Sequence, residues 1–168
     1  KSVTFTSVLG EDLGRRDFTV NAMAYSRKTG TVDLFGGRDD LKNGIIRCVG
    51  DPDRRFNEDA LRILRALRFA STLDFEIEPL TAQSLINNRA LLGNISEERI
   101  EKELIKLICG KGARRILTDF APVLFEILPE LRPMYKNGHD NPHHCYDIYE
   151  HTLIALENID PEPTLRFA

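Results

Sequence analysis

The feature that most constrains this chain is a change of period at Gly50-Asp51-Pro52. Before it, short runs of strand-like residues are cut by turn signals at Lys28-Thr29-Gly30, Gly36-Gly37 and Asp39-Asp40-Leu41-Lys42-Asn43-Gly44. Alternation of apolar and polar side chains marks a half-buried strand. Val3 to Thr6, Thr31 to Phe35 and Ile45 to Val49 read that way, and Asp17 to Tyr25 reads as one short helix. After Pro52 the apolar spacing becomes helical. At 100° per residue Ala60, Ile63, Leu64 and Leu67 form one arc, opposite Glu58, Arg62, Arg65 and Phe69, with Asp59 at the edge. Further helices are expected over Thr81–Asn87, from an N-cap at Ser96 to Ile108 with a stop at Gly110, and over Ala113–Leu117, Val123–Leu128 and Ile148–Leu156. Arg99 stands where a capping box prefers Glu. The fold class is α+β, mostly α.

With 42% hydrophobic and 29% charged residues over 168 positions, the chain has enough apolar surface for a core, and no apolar run is long enough to span a membrane. The net charge of −3 does not by itself mark a nucleic-acid binder, but it hides an uneven distribution. Residues 47–70 hold six Arg against four acids, and residues 139–168 hold six acids against Arg166 alone. All four His lie between 139 and 151. Three Cys without a CxxC pair indicate a reduced protein, expected in the cytoplasm. The chain opens without Met and stops as an apolar segment begins at Pro163, so a piece of a longer protein is expected.

Two segments carry chemistry. In Glu58-Asp59-Ala60-Leu61-Arg62, an Asp can only accept hydrogen bonds and an Arg can only donate them. Cytosine and adenine each present an amino donor beside a ring-nitrogen acceptor; uracil and guanine present the reverse. An Asp59–Arg62 pair on one helix face therefore matches C and A. The competing reading is a solvent face with i,i+3 and i,i+4 ion pairs. In Arg15-Arg16-Asp17-Phe18-Thr19-Val20-Asn21, paired guanidiniums suit phosphate oxygens, while Asp17 and Asn21 suit ribose hydroxyls or orientation of the Arg pair. A charged turn ahead of a small-residue helix explains the same residues.

Three pieces in this order, RRDFTVNAMA at 15–24, VDLFGGRDDLKNGIIRCVGDPDRRF at 32–56 and EDALRILRALRF at 58–69, resemble the class II nucleotidyltransferases, the bacterial CCA-adding enzymes and poly(A) polymerases. A fourth, Ile95 to Ile100 with Glu103-Leu104, resembles the family motif that braces the base-reading helix. The resemblance implies the end of a nucleotidyltransferase head at 1–49, a helical base-reading neck at 50–110, and a helical body at 111–168. It implies that Asp59 and Arg62 read incoming CTP or ATP, that Arg15, Arg16, Asp17 and Asn21 hold triphosphate and sugar, and that Glu58 and Arg65 assist. Gly36-Gly37 and Asp39-Asp40-Leu41 would form the turn from head to neck. The tRNA 3′-hydroxyl then attacks the α-phosphate with two Mg²⁺ ions.

The resemblance departs at its metal motif. The family's metal-binding carboxylates precede the RRD segment, and Asp12 and Asp17 do not have their spacing, so the chain alone is expected to be inactive. Residues 141–153 resemble the opening of an HD metal-phosphohydrolase domain with His151 as its first ligand, and His144, Asp147 and His151 on one helix face. A poly(A) polymerase, an HD phosphohydrolase or a non-catalytic RNA-binding protein are the alternatives.

Overall fold

A computed structural model describes residues 8–136 and 147–167. The strand expected over Val3 to Thr6 and the residues His139, His143, His144 and Cys145 lie outside them. After α1 (Leu9–Gly14), the helix expected from Asp17 to Tyr25 gives way to a 3₁₀ turn at Thr19–Asn21 and strand β1 (Met23–Ser26). This strand pairs antiparallel with β2 (Gly30–Asp33), Met23 opposite Asp33 and Ser26 opposite Gly30. Gly30, at φ 70, closes the hairpin, and the returning strand supplies backbone partners that local propensity does not register.

The expected turn over Asp39 to Gly44 is instead helix α2 (Gly37–Asn43). The Asp33 carboxylate accepts from the N–H groups of Gly37 and Arg38, each at 2.9 Å. These bonds, that of Arg38 foremost, hold its pKa below the usual value. A Cβ on Gly37 would lie 2.2 Å from the Thr19 carbonyl oxygen, so glycine lets α2 sit against the 3₁₀ turn. The next strand is shorter than expected: β3 (Ile45–Ile46) pairs in parallel with β4 (Glu76–Ile77), a strand within the half read as helical. Thr19 N–H donates to Arg47 O at 2.9 Å and Val49 N–H to Asp17 O at 3.0 Å, so residues 17–19 run alongside 47–49.

Helix α3 (Pro52–Glu58) starts where only the end of the strand region was expected. Asp51 accepts from Arg54 N–H at 2.7 Å and proline occupies the first turn. The helix expected to run on from Glu58 is broken at Asp59, which is extended at φ −153, ψ 104. Its carboxylate accepts from Leu61 N–H at 3.3 Å and its carbonyl from Arg62 N–H at 3.0 Å. A short acidic side chain that bonds nearby backbone competes with the helix, and α4 (Leu61–Leu73) begins anew.

The remaining helices are α5 (Pro79–Asn87), α6 (Glu97–Ile108), α7 (Ala113–Asp119), α8 (Ala121–Ile127), α9 (Ile148–Asn158) and α10 (Pro163–Phe167). The apolar arc of α4 is the centre of the molecule. Ile63, Leu64, Leu67 and Ala70 are fully buried, and α4 packs most extensively on α6, which contributes Leu104 and Leu107. One apolar cluster continues from Phe18 through α4 to Leu153. A Cβ on Gly110 would come within 2.6 Å of the Ser71 carbonyl carbon, which fixes glycine at this crossing. No helix among the described residues is long and apolar enough to cross a membrane.

Candidate functional site

The pairing of 17–19 with 47–49 carries the Arg15–Asn21 segment to the first turns of α4. There Arg15, Arg16, Asp17, Asn21, Asp59, Arg62 and Arg65 line one cavity of about 310 Å³, together with Leu61 and Arg99. Five guanidiniums against two carboxylates give it a net charge of +3, opposite in sign to the whole chain. Glu58 lines an adjoining cavity of about 820 Å³ that shares Arg15 and Arg62.

Asp17 is buried and organises one wall. Its Oδ1 accepts from Asn21 Nδ2 at 2.7 Å and from Phe18 N–H at 3.2 Å, and its Oδ2 accepts from Arg65 Nε at 2.6 Å. Asp17 and Asn21 thus orient Arg65, one of the two roles their types suggested, but the Arg is on α4 rather than in the adjacent pair. Arg15 and Arg16 remain about half exposed, facing Asp12 at 3.0 and 3.5 Å.

The second wall is a guanidinium–carboxylate network on Glu58. Arg62 Nη1 donates to Glu58 Oε2 and to Arg55 O, both at 2.9 Å, and Arg62 Nη2 donates to Arg15 O at 3.3 Å. Arg55 Nη1 and Arg54 Nε reach the same carboxylate at 2.7 and 3.0 Å. Arg62 first, with Arg55 and Arg54, overcomes partial burial and draws the Glu58 pKa down to about 2. Arg55 is itself buried, donating to Val49 O at 2.9 Å and to Gly14 O.

The expected geometry of Asp59 and Arg62 requires correction. They do not share a helix face, because Asp59 stands ahead of α4 and Arg62 sits in its first turn. Both still line the same cavity. Asp59 is held by Arg99 of α6, Nη2 to Oδ2 at 3.3 Å. Sequence reasoning placed Arg99 only in a bracing motif and gave Arg55 no role. The signal for Arg99 was a basic residue at the capping-box position; Arg55 gave none, since nothing local marks a buried Arg. The bracing contact is made by Glu103, buried between Arg68 at 2.6 Å and Arg65 at 3.9 Å. The close Arg68 approach lies off the hydrogen-bond direction and acts as an ion contact, while the Arg68 guanidinium stacks 3.7 Å above Phe69.

His151 is exposed on α9. Asp147 does not share its helix face; it is the cap, accepting from Glu150 N–H at 2.7 Å and Lys136 N–H at 2.8 Å. Among the described residues no three His, Cys, Asp or Glu gather as a metal would need. Asp12 faces Arg15 and Arg16, and Asp17 faces Arg65, so these carboxylates do not fit a Mg²⁺ site.

Residues 1–47 match the family described as poly A polymerase head domain, and residues 74–134 the family described as probable RNA and SrmB-binding site of polymerase A. The CCA-adding enzyme of Lactobacillus delbrueckii subsp. bulgaricus is 52% identical over 118 residues, 70% of this chain and 30% of that protein. That of Pediococcus pentosaceus is 46% identical over 156 residues, 93% of this chain and 38% of that protein. The chain spans about a third of the length of these curated relatives. In solved structures, the Bacillus stearothermophilus CCA-adding enzyme in complex with CTP superposes with a TM-score of 0.70 at 40% identity, over 92% of this chain and 35% of that one. The Thermotoga maritima CCA-adding enzyme complexed with tRNA gives 0.63 at 34% identity, over 80% and 32%. The cationic cavity thus lies in a chain that belongs to the class II nucleotidyltransferase family of CCA-adding enzymes and poly(A) polymerases.

Proposed function

We propose that the protein containing this chain is a tRNA nucleotidyltransferase that adds C and A to tRNA 3′ ends from CTP and ATP. The observation that carries this is the gathering of Asp59, Arg62 and the Arg15–Arg16 pair around one cationic cavity. A polyphosphate needs several donors in one place, and a base needs an acceptor beside a donor. Asp59 and Arg62 read the pairing edge of the incoming base. Arg15 and Arg16 hold its triphosphate, Asp17 and Asn21 keep Arg65 in place, and Glu58 keeps Arg62 extended across the cavity wall. Structures of relatives with CTP, with ATP and with tRNA support this choice of substrates. The head, neck and body divide near residues 49 and 110. The enzyme works in the cytoplasm, and Mg²⁺ is the family's metal. The described carboxylates do not hold that ion, so no step is assigned to it among them.

The hydrogen bonds on Asp59 and Arg62 define what substrate entry must do. Arg99 has to share or release the Asp59 carboxylate, and Arg62 has to turn at least one N–H from a carbonyl toward the base. In the full-length protein, Asp59→Ala or Arg62→Ala is expected to lose roughly 1–3 kcal/mol of preference for CTP and ATP over UTP. Retention of wild-type preference in single-turnover competition would falsify the base-reading role. Arg16→Ala is expected to raise KM for CTP and ATP alike, because phosphate contacts carry no base information; selective loss of one nucleotide contradicts that role. A poly(A) polymerase is the second reading, favoured by the head-domain match. Incorporation of ATP but never CTP into a tRNA lacking CCA would establish it instead.

A further inference from the structure

Arg55 is buried on α3, and each of its nitrogens serves a different part of the chain. Its Nε donates to Val49 O at 2.9 Å, Nη1 to Glu58 Oε2 at 2.7 Å, and Nη2 to Gly14 O at the end of α1. Arg62 repeats the pattern one residue along. Its Nη1 donates to the same Glu58 oxygen at 2.9 Å and its Nη2 to Arg15 O at 3.3 Å. Two guanidiniums tied through one carboxylate oxygen therefore hold the consecutive carbonyls that lead into Arg15 and Arg16. Replacing a buried ion pair by apolar residues is often neutral or stabilising, so stability alone does not account for Arg55. Reaching three acceptors at fixed angles needs the planar guanidinium fork, where Lys presents one point charge.

We propose that Arg55 is a positioning residue for the triphosphate: it keeps the Arg15–Arg16 pair in place while Arg62 turns toward the base. This rests on the nucleotidyltransferase reading, in which Arg62 reads the base and Arg15 and Arg16 hold phosphate. A turn of Arg62 Nη2 toward a base releases Arg15 O. Reading the base would then loosen the segment that binds phosphate, unless a second anchor holds it. Arg55 supplies that anchor one carbonyl earlier, on Gly14. It does not line the cavity of Asp59 and Arg62, so its own bonds survive substrate entry. Glu58 also keeps its Arg55 partner when Arg62 moves, and no carboxylate is left stranded. Arg54 makes the useful contrast. Its Nε donates to Glu58 Oε1 at 3.0 Å, but its side chain is 78% exposed and lies on the outer side of the network.

The test is single-turnover extension of tRNA lacking its terminal CCA by the full-length protein, read as apparent Kd for CTP, ATP and UTP. Arg55→Gln is expected to weaken CTP and ATP alike by roughly tenfold, as loss of a hydrogen bond with a charged partner does. Its preference for CTP over UTP is expected to stay, because phosphate contacts carry no base information. Arg54→Gln is expected to weaken both nucleotides less. In a double-mutant cycle, Arg16→Ala added to Arg55→Gln should cost at most about twofold more, well below its cost in the wild type, since residues acting as one unit are not additive. Tm of each variant reports folding separately. If Arg55→Gln does not fold, Arg55→Lys carries the same cycle, and is expected to fold, to weaken CTP by a smaller factor and to show the same non-additivity. Losses that multiply in the cycle, an Arg54→Gln loss equal to that of Arg55→Gln, or a lower Tm with unchanged nucleotide Kd each overturn the assignment. Loss of CTP preference overturns it too, since Arg55 would then act on base reading. All of these leave the transferase reading standing, whereas wild-type protein that does not extend tRNA overturns that reading itself.

Discussion

The two walls around α4 are held by different physics. On the side of α6 and α7, Ile63, Leu64 and Leu67 are fully buried against Leu107 and Ile116, and stability comes from apolar contact. On the side of residues 14–21 and 50–58, the buried Phe18 and Phe56 are joined by a layer of guanidiniums, in which Arg55, Arg62 and Arg65 reach carboxylates and backbone carbonyls. An apolar wall tolerates no change of volume. A polar wall is built from bonds that a charged ligand can exchange one for one. The same helix therefore serves as a rigid core element on one face and carries exchangeable polar bonds on the other.

The sharpest way to break this contrast is to compare truncations on the two faces. Leu64→Ala is expected to destabilise by about 2–5 kcal/mol, measured by denaturant unfolding, while Arg62→Ala loses about 1 kcal/mol and keeps its helix by circular dichroism. Equal losses would erase the distinction. Gly110→Ala probes the tightest crossing on the apolar side. Its methyl has to displace the Ser71 backbone, so a loss of about 1–3 kcal/mol is expected in the same unfolding measurement.

The polar wall has a pH signature. Because the folded pKa of Glu58 is about 2 against an ordinary 4.5, its contribution to stability is complete above pH 4.5 and is lost as pH falls toward 2. Unfolding midpoints of the wild type are expected to fall across that window, and Glu58→Gln, weaker at pH 7, is expected to lose less there. Parallel curves would show that Glu58 is not the group responsible. The smallest effect concerns thiols: burial pushes Cys48 up to about 12, so iodoacetamide at pH 8 should leave it unlabelled by mass spectrometry, whereas half-buried Cys109 reacts.

Periodicity and turn signals determined the α4 arc, helices α5 to α9 to within a few residues, and the β1–β2 turn at Gly30, since each depends on neighbours three or four positions apart or on one glycine; α10 was not foreseen. Hydrogen-bond polarity and motif resemblance together marked seven of the nine residues that line the cavity, all but Leu61 and Arg99. Tertiary structure decided the rest. It turned residues 23–26 into a strand by offering residues 30–33 as partners, and it hid β4 from any local reading because its partner is β3, some thirty residues earlier. It also placed Arg99 on Asp59 and Arg65 on Asp17, pairs separated by 40 and 48 positions. A guanidinium carries the same donors wherever it stands in a sequence; which carboxylate it meets is fixed only when the helices pack.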